Sequence, residues 1–255
     1  MRVWKTVPPW MERRRALGGK DLGFVPTMGA LHEGHASLAA CCRRESETSV
    51  ASIFVNPSQF NDPRDLDRYP RTLETDLELL ESLGVDEVLA PTVNDLYPMG
   101  YCFRVEAPEE AASIMEGFHR PGFFQGVMTV VLKLLNLVRP GRAYFGEKDY
   151  QQLRVITEMA RDFFLPVEIV PCATVREPSG LAMSSRNRLL SAEGREKAAS
   201  LYRTLTGASD STQAKAMLEM EGFQVDYVEE HWRRRFAAAS LEGVRLIDNV
   251  PLPKE

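Results

Sequence analysis

The chain has 255 residues, 44% hydrophobic and 26% charged, with a formal net charge of −5. That length and composition fit a globular protein with a sizeable core. The acidic balance argues against bulk nucleic-acid binding, and no apolar run approaches the roughly 18 residues of a membrane span.

The four cysteines, Cys41, Cys42, Cys102 and Cys172, show no CxxC and no framework spacing. The N-terminus, MRVWKTVPPWMERRR, has no signal-peptide pattern. Both point to a reducing cytoplasm.

Residues 1 to 20 read as a short leading segment and an Arg-rich helix from Met11 to Leu17. Leu22 to Val25 reads as a buried strand, closed by Pro26 because proline cannot donate a ladder hydrogen bond. The stretch FVPTMGALHEGH, Phe24 to His35, then continues as a tight turn and a helix start. Thr27, Met28 and Gly29 are expected to bring backbone N–H groups to the mouth of the sheet. A helix N-terminus is partly positive and offers unpaired donors, so it suits phosphate. His32 and His35, with Gly34 between them, can bond to phosphate oxygens as negative charge builds up. Histidines three apart also occur by chance or as metal ligands, but no Cys, Asp or third His stands at metal-ligand spacing.

The helix after His35 places Leu38, Ala39 and Cys42 on its apolar side. Thr48 to Asn56 is a near-continuous apolar strand, the pattern of a parallel sheet covered on both faces. PSQFNDPRDLDRYP reads as a polar loop past a strand end, where α/β proteins keep their sites. Thr72 to Leu83 reads as a helix stopped by Gly84, and Val85 to Ala90 as a strand. An irregular stretch, Tyr97 to Met115, precedes RPGFFQG and an apolar helix from Val127 to Val138. Ala143 to Phe145 reads as a strand, Asp149 to Phe163 as a helix and Val167 to Cys172 as a strand. Strands alternating with helices predict an α/β fold, a Rossmann-like doubly wound parallel sheet.

Past Val175 the character changes. Ser191 reads as a helix N-cap, Ala214 to Glu221 as a short helix, and Phe223 to Val228 and Val244 to Ile247 as strands. The expected division is a catalytic domain over 1–175 and a small α+β domain over 176–255.

Three further motifs carry polar chemistry. In GEKD, Gly146 to Asp149, Lys148 can neutralise phosphate, and Asp149 can cap a helix or bond a ribose or a water. In MSSRN, Met183 to Asn187, Ser184 and Ser185 can donate to phosphate and Arg186 offers a forked, permanently charged clamp. Each also reads as an ordinary capping turn. In FVNPSQF, Asn56 and Gln59 stand just past a strand end, and Gln152 follows GEKD by one turn; amides there suit a substrate with a hydroxyl and a carboxylate.

The order HxGH, lysine turn, MSSR is similar to that of the nucleotidylyltransferases with HIGH-type and KMSK-like signatures. With FVNPSQF, RYPRTLETD, FGEKDYQQL, GLAMSSRN and RLIDN (Arg245 to Asn249), the chain closely resembles the pantoate–β-alanine ligase (pantothenate synthetase) family. The resemblance implies ATP-dependent formation of pantoyl adenylate from pantoate, then attack by β-alanine to give pantothenate and AMP. It implies ATP contacts at Met28, Gly29, His32, His35, Gly146, Glu147, Lys148, Asp149, Val175, Met183, Ser184, Ser185 and Arg186. Catalytic roles fall on His35, as proton donor, and on His32, Lys148 and Arg186. Gln59, Gln152 and Asn56 match pantoate-binding positions, with Gln59 also near β-alanine. The resemblance further implies Mg²⁺ arriving with ATP and no dedicated protein metal site, a lid role for the second domain, and a homodimer. Two departures stand out. Phe123 replaces a usual histidine. Between Tyr227 and Arg245, HWRRRFAAASLEG stands where the family runs longer with an extra strand, so an abbreviated small sheet is expected. The rival readings are another nucleotidylyltransferase of the same superfamily and a nucleotide-binding homologue with impaired catalysis.

Overall fold

The computed structural model describes residues 1–18 and 21–253. The chain divides into two compact units, Met1–Gly146 with Gln151–Cys172, and Glu147–Tyr150 with Ala173–Glu255.

The larger unit begins with β1 (Arg2–Trp4), α1 (Val7–Ala16), β2 (Leu22–Thr27), α2 (Glu33–Glu45) and β3 (Thr48–Ile53). It continues through α3 (Pro63–Arg68), α4 (Leu73–Ser82), β4 (Glu87–Leu89), α5 (Val93–Leu96), α6 (Glu109–Ala112) and α7 (Met115–His119). Then follow α8 (Phe123–Val138), β5 (Arg142–Gly146), α9 (Tyr150–Asp162, its first residue grouped with the smaller unit) and β6 (Glu168–Cys172). Among the described residues these strands form one parallel sheet in the order β1-β4-β3-β2-β5-β6. The doubly wound sheet expected from the sequence is therefore present.

The core follows from the apolar strands. Phe24, Val50 and Val88 are all but fully buried, and burying side chains of this size contributes about 2 kcal/mol each. One cluster joins Leu31, Ala39, Ala51, Leu80, Val85 and Val88; another joins Val25, Leu38, Cys42, Tyr144 and Cys172. Burial pushes the Cys42 thiol up to about 12, so it packs as a small apolar group.

Several boundaries differ from expectation. β2 runs through Pro26 to Thr27, paired with β3 throughout. Its pairing with β5 covers just Gly23 and Phe24, so Pro26 lies where one flank has no ladder to break. The helix expected from Met11 starts at Val7, with prolines at its first positions, where a missing N–H costs nothing. β1 precedes it as a short edge strand beside β4. The polar loop after Asn56 contains a 3₁₀ turn at Pro57–Gln59 and the helix α3, capped by Asp62 through Arg64 N. α8 begins at Phe123 rather than Val127.

The smaller unit carries α10 (Ala192–Ala198), α11 (Ser200–Gly207), α12 (Ser211–Met220), β7 (Gln224–His231), β8 (Arg234–Leu241) and β9 (Val244–Pro251). Ser191 caps α10 through Gly194 N at 2.9 Å. The three strands form an antiparallel meander in the order β7-β8-β9. The abbreviated sheet is thus corrected: HWRRRFAAASLEG supplies β8, the middle strand. Its two connections are two-residue turns, Trp232-Arg233 (φ 50° and 58°) and Glu242-Gly243 (φ 52° and 73°). Both central residues lie in the left-handed region, the twist that joins antiparallel strands tightly. Ala237 and Ala239 of β8 pack with Leu201, Leu205, Leu218 and Leu246. Arg235 is buried because its Nη1 donates to the carbonyls of Leu205 and Ala208 at the end of α11, while Nε meets Glu230 at 2.8 Å.

Candidate active site

In the larger unit the first candidate segment is the turn from β2 into α2. Thr27 Oγ1 donates to Ser52 O at 2.7 Å and accepts from Gly29 N at 3.2 Å. Of the N–H groups expected at the sheet mouth, that of Gly29 is thus already bonded inside the turn. Gly29 and Ala30 both have positive φ (80° and 50°), and a Cβ on Gly29 would stand 2.9 Å from Asp76 Oδ2. Asp76, buried in the first turn of α4, accepts from Ala30 N at 2.9 Å, Leu31 N at 2.8 Å and Thr72 Oγ1 at 3.1 Å. A single carboxylate therefore fixes the backbone that delivers His32.

His32 is the N-cap of α2, and its Nδ1 accepts from Gly34 N at 3.1 Å. With Nδ1 accepting, the neutral tautomer of the ring carries its proton on Nε2. The His32 and His35 rings lie 4.1 Å apart, centroid to centroid, tilted by 40°.

The second segment follows β3. Asn56 is 1% exposed, and its amide is fully committed. Nδ2 donates to Gln59 Oε1 at 2.9 Å and to Gly126 O at 3.2 Å. Oδ1 accepts from Ser58 Oγ at 2.9 Å and Tyr97 OH at 2.8 Å. Burial raises the Tyr97 phenol above its ordinary value, keeping it a donor. Gln59 is half-buried, its carboxamide oxygen oriented by Asn56. Arg120 Nη2 donates to Gln59 O at 3.2 Å, and its guanidinium lies 3.7 Å from the centre of the Phe123 ring. Phe123, in the place of a usual histidine, thus serves as the apolar bed of that arginine. Gly126 lets α8 approach the Pro57–Gln59 turn, since a Cβ there would stand 2.3 Å from Ser58 O.

On α9, Gln151 and Gln152 part ways. Gln151 is buried, accepting from Glu116 N at 3.0 Å and donating to the carbonyls of Ala111 and Ile114. Gln152 is half-buried.

In the smaller unit, Glu147–Asp149 form a 3₁₀ turn. Lys148 Nζ lies 3.8 Å from Asp149 Oδ2, and Glu147 Oε2 lies 3.9 Å from Arg234 Nη2. Gly146, the first residue of GEKD, ends β5 in the larger unit. Val175 and Met183 are brought together: Met183 N donates to Val175 O at 2.9 Å, and Arg176 bridges Ala182 antiparallel. Ser184 caps the 3₁₀ turn Ser185–Leu189 by accepting from Arg186 N at 3.3 Å. Ser185 is buried, whereas Ser184 and Arg186 are half-buried.

Asp76, Tyr97, Arg120 and Gly126 all shape these segments and stand outside the candidates read from the sequence. Gly126 left a signal, a glycine within an apolar helical pattern, which marks close approach. The others act through distant pairings that local pattern does not encode.

The model of the family described as pantoate–β-alanine ligase matches residues 2–251. A pantothenate synthetase of Bdellovibrio bacteriovorus is 50% identical over 240 residues, covering 94% of each chain. That of Legionella pneumophila is 47% identical, over 99% of this chain and 100% of its own. Among solved structures, a pantoate–β-alanine ligase from Francisella tularensis, complexed with β,γ-ATP and β-alanine, superposes with a TM-score of 0.94 at 41% identity, covering 98% of this chain and 97% of its own. A pantothenate synthetase of Thermus thermophilus gives 0.93 at 44% identity, covering 99% and 100%.

Proposed function

The chain belongs to the pantoate–β-alanine ligase family, and we propose that its residues carry out that family's reaction, the ATP-dependent condensation of pantoate with β-alanine. The pantoate carboxylate attacks the α-phosphorus of ATP, releasing pyrophosphate and forming pantoyl adenylate. The β-alanine amine then attacks the acyl carbon, giving pantothenate and AMP. The first step spreads charge over phosphate oxygens, so it calls for positioning and electrostatic stabilisation more than for a protein nucleophile.

The observation that carries the residue assignment is the imidazole pair, centroids 4.1 Å apart at the N-terminus of α2. In this reading His35 and His32 donate to phosphate oxygens, with Met28 and Gly29 lining the same turn. Lys148 and Arg186 add positive charge. Gly146, Glu147, Asp149, Val175, Met183, Ser184 and Ser185 complete the ATP contacts. Gln59 and Gln152 receive pantoate, and Gln59 also meets β-alanine. Asn56, also assigned to pantoate from the sequence, has its amide spent within the protein and serves pantoate by orienting the Gln59 carboxamide.

Mg²⁺ enters with ATP, held mainly by phosphates and water, and neutralises phosphate charge. Among the described residues no three His, Cys, Asp or Glu side chains gather as a metal cluster. A homodimer formed through the larger unit belongs to the same reading. A cytoplasmic location belongs to the same reading, and no helix among the described residues is long and apolar enough to cross a membrane.

The test is pyrophosphate release with Mg²⁺ and ATP, with and without pantoate, before and after β-alanine is added. Release should require pantoate, with bulk AMP and pantothenate appearing after β-alanine. His35→Ala should lower the rate by about 10²–10³-fold. ATP binding without pantoate-dependent turnover would sink the reading in favour of another acceptor or an impaired nucleotide-binding homologue.

A further inference from the structure

The Asp248–Asn249 pair on β9 has no part in the chemistry above, yet both side chains are buried, 3% and 2% exposed. Burying a carboxylate and an amide is costly unless every polar atom is satisfied. Adjacent residues on a strand project to opposite faces, and these two use that alternation to reach different segments.

Asn249 Nδ2 donates to Glu147 O and to Lys148 O, each at 2.9 Å. Both amide hydrogens are thus spent on successive carbonyls of one turn. Its Oδ1 accepts from Arg234 Nε at 2.6 Å, and that guanidinium in turn lies 4.5 Å from the centre of the Tyr150 ring. The amide is therefore gripped from one side and grips the lysine turn from the other.

Asp248 forms a two-pronged pair with Arg176, at 2.6 and 2.9 Å, and also accepts from Asn249 N at 2.8 Å. Arg176 Nη1 further donates to Gly180 O at 3.1 Å, and its guanidinium lies 3.9 Å from the centre of the Tyr202 ring. Arg176 is the residue next to Val175 and bridges Ala182, next to Met183. Two adjacent residues of β9 thus fasten both the Glu147–Asp149 turn and the 175–183 strand pair. Apart from the Arg234–Asn249 bond within the sheet, their bonds run to loop backbone and a loop arginine, which sheet stability alone does not require.

We propose that Asn249 is a positioning residue for ATP, holding the Glu147–Lys148 peptide so that the Lys148 ammonium meets the phosphates, with Asp248 setting Val175 and Met183 through Arg176. This deepens the function proposed above and rests on its assignment of Lys148 to ATP.

The test uses the full chain. Asn249→Asp keeps the shape but replaces both donors by a carboxylate facing two carbonyl oxygens. Asn249→Gln keeps the donors on a longer arm. Leu246→Ala, a buried position on the same strand with no bond to the turn, controls for lost stability. Calorimetric binding of ATP with Mg²⁺, steady-state KM for each substrate, and thermal midpoints are measured for all.

Asn249→Asp should raise the ATP Kd and KM about 10- to 100-fold, leaving the KM for pantoate and β-alanine within about 2-fold. Asn249→Gln should fall between it and the parent, and this carries the test if Asn249→Asp does not fold. Leu246→Ala should lose thermal stability without losing ATP affinity. In a Lys148→Ala background the Asn249→Asp effect on ATP should largely vanish, as expected of two residues acting through one contact. Unchanged ATP affinity in folded Asn249→Asp or Asn249→Gln, or a loss shared equally by all substrates or undiminished without Lys148, would overturn the proposal. A parent protein that binds no ATP would instead overturn the functional reading and this proposal with it.

Discussion

The two units fasten their candidate loops with different chemistry. In the larger unit the fasteners are Asp76, which takes two backbone N–H groups and a hydroxyl, and Asn56, which divides its amide between Gln59, Gly126, Ser58 and Tyr97. In the smaller unit guanidinium groups stand behind the fasteners: Arg176 pairs with Asp248, and Arg234 holds the Asn249 amide that grips the lysine turn. A hydrogen-bonded fastener leaves unpaired dipoles when cut. A charge-paired fastener leaves an unpaired ion, which costs more in a buried setting.

The largest expected effect follows from that difference. Arg176→Ala strands the buried Asp248 carboxylate and should destabilise the smaller unit by about 3–5 kcal/mol in urea unfolding. Replacing both partners, Arg176→Met with Asp248→Leu, should recover most of it. A single-variant loss of under about 1 kcal/mol would put the charge pair on a par with a surface bridge and erase the contrast.

Asp76→Ala should cost the larger unit less, about 2–3 kcal/mol, because it orphans the N–H groups of Ala30 and Leu31 without leaving a charge. Urea unfolding again reads it, and a cost equal to or above that of Arg176→Ala would reverse the ranking. The smallest effect is a gain. Arg233 sits at φ 58°, so Arg233→Gly should raise stability by about 0.5–1 kcal/mol, seen as a higher thermal midpoint. No gain would mean that the Arg233 side chain contributes as much as its backbone strain costs.

The same contrast governs what the sequence revealed. TSVASIFVN reads as a strand because a parallel strand covered on both faces must be apolar nearly throughout. β8 escaped because it opens on Arg234 and Arg235, which read as solvated charges until their tertiary partners are seen, and because the Trp232-Arg233 turn carries neither Asn nor Gly. The small sheet therefore looked shorter than it is. β1 was missed since three residues at a sheet edge make no pattern. Among the candidate site residues, the HxGH, GEKD and MSSRN segments stand out as contiguous motifs. Asp76 was not, because an acidic residue in a helix's first turn already suits the helix dipole, which conceals its bonds to Ala30 and Leu31. Asn56 was legible as an amide near a strand end, but not as the group that orients Gln59.

The chain path through the smaller unit has a consequence for modularity. Glu147–Tyr150 group with residues from Ala173 onward, although β5 and most of α9, on either side of them, belong to the larger unit. The smaller unit is therefore not a cassette that begins at one point and runs to the C-terminus. A fusion, domain exchange or truncation cut near residue 175 would separate the lysine turn from the Asn249 amide that holds it. Recombination among relatives would need both pieces from the same parent, and the two stretches are expected to be inherited as a unit despite the long run of chain between them.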